Sequence, residues 1–353
     1  MIAYLVSNNG KLNYESGLLI YKDYLGNITK FIPNKLSQIV VIGKLELTGT
    51  SINILLNHKI QVDFLYKNGK YNGKLVFEDS KNTFLRHKQH LIYEDEKKSL
   101  SIAKDIVRGK IHNQLLFAQR ISRKIYKNDN ILINLKLLSN CLSRVDHAYN
   151  LTTLRGIEGE AAKLYFFILG YNISPKWVSF NCRSKNPPLD EVNSVLSFIY
   201  TLLAIRIDSI ILSNGLDDSV GTLHSLSYGR KSLIFDLIEE YRTPIADTLT
   251  SALFNLGTLK KEDFRVGEKY EDSEMSDNEK NQQYDNDIKK GVYLTESGMK
   301  KVVFAFEKKI KDEHYYPDLT KTIEYNRIFK EQVKLYKSVI NGNRDHYLPL
   351  VVK

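Results

Sequence analysis

The stretch SIAKDIVRGKIHNQLLFAQRISRKIY, residues 101–126, decides the fold. It sets Ile102, Ile106, Ile111, Leu115 and Leu116 at helical spacing, whereas the apolar residues before it follow another period. Upstream, from residue 1 to about 90, short runs alternate apolar and polar residues between turn signals. KLNYESGLLIYKD, KFIP, QIVVIG, INILL and KIQVDFLYKNGKYNGKLVF read as strands, the last as a hairpin around KNGKYNG. Downstream the helical period persists. Pro244 marks a stop after a helix ending near Tyr241, and Thr243 and Gly257 bracket the candidate helix TPIADTLTSALFNLG. The expected fold class is α+β: a small N-terminal β-sheet domain over residues 1–92, followed by a larger all-helical catalytic domain over residues 93–353. A chain of 353 residues with 42% hydrophobic content suits two domains with real cores. Residues 266–290 carry eight acids and four lysines with few apolar residues, the pattern of a flexible acidic surface insert.

Composition narrows the function. Cys141 and Cys182 form no CxxC pair, so neither a disulfide framework nor a zinc knuckle is expected. MIAYLVSNNG has no basic stretch ahead of its apolar residues, and LSFIYTLLAIRIDSIIL, residues 196–212, is interrupted by Arg206 and Asp208. A soluble cytoplasmic protein with no membrane partner is expected. The formal charge of +10 favours a polyanionic partner such as DNA. The excess is local, with nine Lys/Arg against three Asp/Glu in residues 101–150, and Arg108, Arg120, Arg123 and Lys124 are the candidate phosphate contacts. General solubility accounts for the charge equally well.

Two segments carry chemistry. In LRGIEGEAAKLYFFILG, residues 154–170, Leu154, Ala161, Ala162, Tyr165 and Leu169 all lie within about 60° of Glu158 on a helical wheel, so a carboxylate sits within an apolar stripe. Burying it requires a compensating partner, and an arginine is the plain choice. Gly156 and Gly159 would let another element, or a phosphate, come close. In HSLSYGRKSLIFDLIEEYR, residues 224–242, Ser232, Asp236, Glu239, Glu240 and Thr243 form one polar stripe on an otherwise apolar helix. That stripe reads as a solvated face or as the lining of a cleft, and His224 could fold back toward it. If Glu158, His224 and Glu239 converge, two carboxylates and an imidazole suit Mg²⁺ or Mn²⁺ better than zinc. GxxxxGK[ST], HExxH and GxSxG are all absent. His58, His87, His90, His112, His147, His314 and His346 show no ligand spacing.

LRGIEGEAAKLYF, NPPLDEVNSVLSFIYTLL and GTLHSLSYGRKSLIFDLIEEYR resemble, in order and spacing, the three signature blocks of the CRISPR-associated adaptation integrases, the Cas-one family. The resemblance implies metal ligation by Glu158, His224 and Glu239, with Asp236 a supporting acid and Glu240 an ordinary helix residue. It implies a prokaryotic, metal-dependent DNA endonuclease and integrase of antiviral defense that inserts foreign DNA fragments as spacers into the CRISPR array. The expected partners are DNA, a second copy in a homodimer, and a Cas-two protein bridging two dimers. The acidic insert and the ending HYLPLVVK depart from the family pattern. A non-catalytic DNA-binding scaffold and a general metal-dependent nuclease on branched DNA are the alternatives.

Overall fold

Six strands near the N-terminus form one mixed sheet in the order β3-β2-β1-β4-β5-β6. In this computed structural model, which describes residues 1–77, 82–125, 128–268 and 290–352, β1 (Ile2–Glu15) turns through Ser16 and Gly17 into β2 (Leu18–Asp23). Both turn residues have positive φ, 51° and 82°, a conformation that glycine adopts freely. β2 pairs with β3 (Ile28–Phe31), and β4 (Gln38–Leu47), β5 (Gln61–Leu65) and β6 (Tyr71–Leu75) follow. The β1–β4 and β4–β5 pairs are parallel. The expected hairpin is present as the antiparallel β5–β6 pair. Parallel strands cannot be joined by a tight turn, and α1 (Gly49–Asn57) supplies the β4–β5 crossover. INILL, expected as a strand, lies in this helix. Thr48 caps it by accepting the Ser51 N–H at 3.3 Å, and a five-residue apolar run has no period that separates strand from helix. Leu55 of α1 joins Leu5, Leu12, Leu19, Ile39, Val41 and Val62 in the sheet's core.

The chain groups into two units, each built from separate segments. One comprises Met1–Glu78, Ser184–Thr201 and Leu259–Phe304; the other comprises Asp79–Arg183, Leu202–Thr258 and Ala305–Lys353. A single cut at 92/93 falls inside α2 (Thr83–Glu94). The remaining helices are α3 (Glu96–Lys124), α4 (Asp129–Arg144), α5 (Leu151–Gly170), α6 (Glu191–Ser213), α7 (Ser232–Tyr241), α8 (Thr248–Asn255), α9 (Glu296–Lys309) and α10 (Tyr325–Ile340). The α+β class holds, with one correction: the region after residue 92 is not purely helical. β7 (Phe264–Glu268) pairs with β8 (Lys290–Leu294), and β9 (Glu313–Tyr316) pairs with β10 (Lys321–Glu324). The first ribbon also corrects the edges of the acidic segment, because Val266 pairs with Val292 and Gly267 with Gly291; residues 269–289 lie outside the described residues.

Helix α6 is long and apolar enough to cross a membrane, but 67% of its most apolar window is buried within the protein. Arg206 on it is buried and pairs with Glu307. In α3, Asp95 caps the N-terminus by accepting from the Lys97 and Lys98 amides, each at 3.1 Å. Ile102, Ile106, Ile111 and Leu115 are buried as the period requires. Pro244 does not stop the chain's helical course. The backbone continues from α7 through a π-helical stretch, Arg242–Asp247, into α8, where the wider turn absorbs the N–H that proline lacks.

Candidate active site

Helices α5 and α7 both pack against α3, and one residue from each meets at a common point. Lys110 of α3 is 4% exposed, and its ammonium contacts the Glu158 carboxylate of α5 and lies 2.7 Å from Glu239 Oε2 of α7. Arg242, one turn beyond Glu239, approaches Oε1 at 3.0 Å. Burial by itself would raise the Glu239 pKa, but Arg242, Lys110 and His224 outweigh it and pull the carboxyl down to about 2. Burial would likewise discharge Lys110, yet Glu239 and Glu158 outweigh it and raise the ammonium above its ordinary value. Lys110 and Glu239 are therefore both charged at neutral pH. Glu158 is less buried than its stripe suggested, with a quarter of its side chain exposed, and its partner is a lysine rather than an arginine.

His224 is fixed by Asp236. This fully buried carboxylate accepts the Thr222 and Leu223 amides on Oδ2, at 2.6 and 2.9 Å, and the His224 amide on Oδ1 at 3.0 Å. His224 Nδ1 lies 2.6 Å from the same Oδ1. An acceptor there places the imidazole proton on Nδ1 and leaves the Nε2 lone pair outward. The loop reaches Asp236 because residue 221 is glycine: a Cβ on Gly221 would lie 2.5 Å from Asp236 Oδ2. Arg155 of α5 anchors the same loop by donating to the Leu223 carbonyl at 2.7 Å.

The structure thus joins Glu158 to Glu239 through Lys110 and joins His224 to Asp236. Among the described residues, no three His, Cys, Asp or Glu side chains already form a metal-ligand cluster. The donor set still fits a hard cation. Glu158 and Glu239 bring anionic oxygens from two helices to one point, where Lys110 and Arg242 offset their charge, and carboxylate oxygens are the ligands a hard divalent cation takes. Gly156 and Gly159, beside Glu158, have no atom within 4 Å of where a Cβ would stand. Among the described residues nothing packs on these two positions, but at about 100° per residue they face away from the Glu158 carboxylate, Gly156 almost oppositely.

Three expectations need correction. The polar stripe of α7 is not solvated: Ser232, Asp236, Glu239, Glu240 and Thr243 are all buried, while Phe235 from the apolar side is exposed. Glu240 is not an ordinary helix residue, since it accepts from the Tyr347 hydroxyl at 2.8 Å, the Leu350 amide at 2.5 Å and the Gln332 amide at 2.9 Å. Arg108 is already engaged by Asp105 at 2.5 Å and by Asp146, so its charge is locally neutralised; Arg120, Arg123 and Lys124 are exposed. Sequence reading missed Lys110, Arg155, Gly221 and Arg242. Lys110 had a signal, because it follows Ile106 by four residues and so falls on the buried face of α3.

Residues 3–308 match the family model described as CRISPR associated protein Cas1. The chain belongs to the Cas1 family. It is similar to the CRISPR-associated endonuclease Cas1 1 of Moorella thermoacetica, with 30% identity over 93% of this chain and 92% of the relative. Among solved structures, the Cas1 fold of this chain overlays a casposase bound to its integration product, with a TM-score of 0.81, 23% identity, and coverage of 97% and 91% of the two chains. It also overlays a chain of a Cas6-RT-Cas1–Cas2 complex with a TM-score of 0.82 and 23% identity, covering all of this chain and 36% of that one.

Proposed function

We propose that this Cas1-family chain is a metal-dependent DNA endonuclease and integrase of CRISPR adaptation. It joins the 3′-hydroxyl ends of captured DNA to phosphodiesters of the repeat array, as a homodimer working with a Cas2 protein. The observation that carries the reading is the convergence of Glu158 and Glu239, from separate helices, on one buried cation, in a chain of this family. Glu158, Glu239 and the outward Nε2 of His224 would hold Mg²⁺ or Mn²⁺. When bound, that ion supplies Lewis-acid stabilisation of the phosphoryl oxygen and lowers the pKa of the attacking hydroxyl. Asp236 orients His224, and Lys110 and Arg242 keep Glu239 ionised. The exposed part of Glu158 admits the phosphodiester. The donor 3′-oxygen forms a new P–O bond while the repeat strand's 3′-oxygen leaves and takes up a proton, so the number of phosphodiesters is conserved.

The test uses donor DNA ending in 3′-hydroxyl or 3′-phosphate, a supercoiled plasmid bearing the repeat, the Cas2 partner and Mn²⁺. Only the 3′-hydroxyl donor should become covalently joined to the array, although both should bind through the backbone charge they share. Glu158→Ala, His224→Ala and Glu239→Ala should each abolish joining. Equal nicking with both donors and no joining would leave a nuclease on branched DNA. Binding with neither nicking nor joining, in wild type, would leave the scaffold.

A further inference from the structure

His224 stands on a long connection between α6 and α7, in which residues 214–231 form neither helix nor strand. The backbone groups there need partners from outside the segment. Asp236 takes the amides of Thr222, Leu223 and His224. The stretch just before them is held by a side chain from much earlier in the chain.

Gln89 of α2 is 1% exposed, and its carboxamide is engaged by the Asp217–Val220 turn. Its Nε2 donates to the Asp217 carbonyl at 2.8 Å and to the Val220 carbonyl at 2.7 Å, while its Oε1 accepts the Asp217 amide at 2.9 Å. Exchanging a donor and an acceptor with one residue is what a paired strand does for its partner, and this connection has no such strand. Only a primary amide presents an acceptor and two donors together. α2 fits the connection at a second place, since Gly215 has a φ of +78° and a Cβ there would lie 3.0 Å from Asn82, at the start of the helix. Ser99 of α3 adds a bond to the Thr222 carbonyl at 3.3 Å.

His224 is thus supported from two sides. Asp236 lies on α7 with Glu239, so it fixes the ring relative to that carboxylate. Gln89 lies on α2, which packs against α3, the helix whose Lys110 meets both Glu158 and Glu239. All three Gln89 bonds go to backbone, so it acts on the site through the loop alone.

We infer that Gln89 is a positioning residue for the cation site: by clamping the Asp217–Val220 turn to α2, it sets where His224 Nε2 stands relative to Glu158 and Glu239. The inference rests on the reading proposed above, that these three side chains hold one divalent cation. Without the carboxamide, two carbonyls and an amide must turn toward water, and the loop carries His224 with it.

The experiment titrates Mn²⁺ into full-length, metal-free protein without DNA and follows the EPR signal of the free ion. Gln89→Met, close in volume but lacking donors and acceptor, should weaken Mn²⁺ binding about tenfold, the lower end of what supporting partners of a ligand are worth. His224→Ala should weaken it at least as much. In the double variant the Gln89 substitution should add less than about twofold, because its effect passes through an imidazole already removed. Leu55→Ala, in the core of the N-terminal sheet, should lower the melting temperature and keep wild-type Mn²⁺ affinity, which separates positioning from loss of stability. If Gln89→Met does not fold, Gln89→Glu, of the same shape and with the acceptor retained, takes its place with the same expectations. The inference is overturned if the Gln89 variant binds Mn²⁺ like wild type while His224→Ala does not. It is equally overturned if its loss persists in full in the His224→Ala background, or if Leu55→Ala loses as much. Wild-type affinity in His224→Ala, or no binding by wild type, would instead overturn the cation reading, and the inference with it.

Discussion

Glu239 and Glu240 are neighbours on α7 in opposite surroundings. Glu239 faces Lys110 and Arg242, and Glu240 faces neutral donors from Tyr347, Leu350 and Gln332. Burial therefore wins at Glu240, whose pKa is raised, while the cations win at Glu239, held at about 2. A depressed carboxyl stabilises the fold above its unfolded pKa, and that stabilisation is lost as pH falls from the ordinary glutamate range toward 2. In metal-free buffer, Glu239→Gln should accordingly lack part of the acid limb that wild type shows between those limits in urea titrations. Lys110→Met leaves a buried carboxylate facing a hydrocarbon. It should cost about 3–5 kcal/mol of folding stability in EDTA, the usual penalty for removing one partner of a buried pair. Adding Mn²⁺ should restore part of the loss, because a ligand that binds only the folded state stabilises it; an undiminished deficit in saturating Mn²⁺ would argue against a cation taking the place of the ammonium.

At the scale of elements, the final segment acts as a strap across α3 and α7. Asn113 donates to the Leu350 carbonyl at 2.8 Å and accepts from the Val352 amide at 3.0 Å. Gly109 admits Pro349 so closely that a Cβ there would lie 2.4 Å from it. Tyr347 and Leu350 are buried, and together with Gln332 they supply the hydrogen bonds of Glu240. The strap thus braces the helix that carries Glu239 through the neighbouring Glu240. Tyr347→Phe strips one donor from a buried carboxylate and should cost about 1–3 kcal/mol in chemical denaturation. Leu350→Ala should cost about 2–5 kcal/mol by leaving a cavity. HYLPLVVK gave little sign of this in sequence. Eight residues without helical or strand period show their role only through what they touch.

Across the whole molecule, the total of 51 Lys and Arg overstates the cations free to meet DNA, because Arg108 and Lys110 are spent on internal carboxylates. Replacing Arg123 or Lys124 by Gln should flatten the dependence of log affinity on log salt by about 0.9 for each phosphate no longer neutralised, whereas Arg108→Gln should leave the slope unchanged. A binding titration at four or five salt concentrations reads both. The sequence by itself determined the α+β class, through the change of period near residue 99. It also singled out Glu158, His224, Asp236 and Glu239 as the candidate site residues, through a carboxylate on an apolar stripe and the resemblance of three ordered blocks. Those are properties of faces, and residue spacing along one element fixes faces. Only the tertiary structure decided which faces meet: that Lys110, 48 residues before Glu158, neutralises it; that Asp236 serves His224; that Glu240 is buried; and that the two units interleave segments of the chain. Pairings between distant elements depend on how helices pack, and packing is settled by the shape and volume of the whole core rather than by any local period.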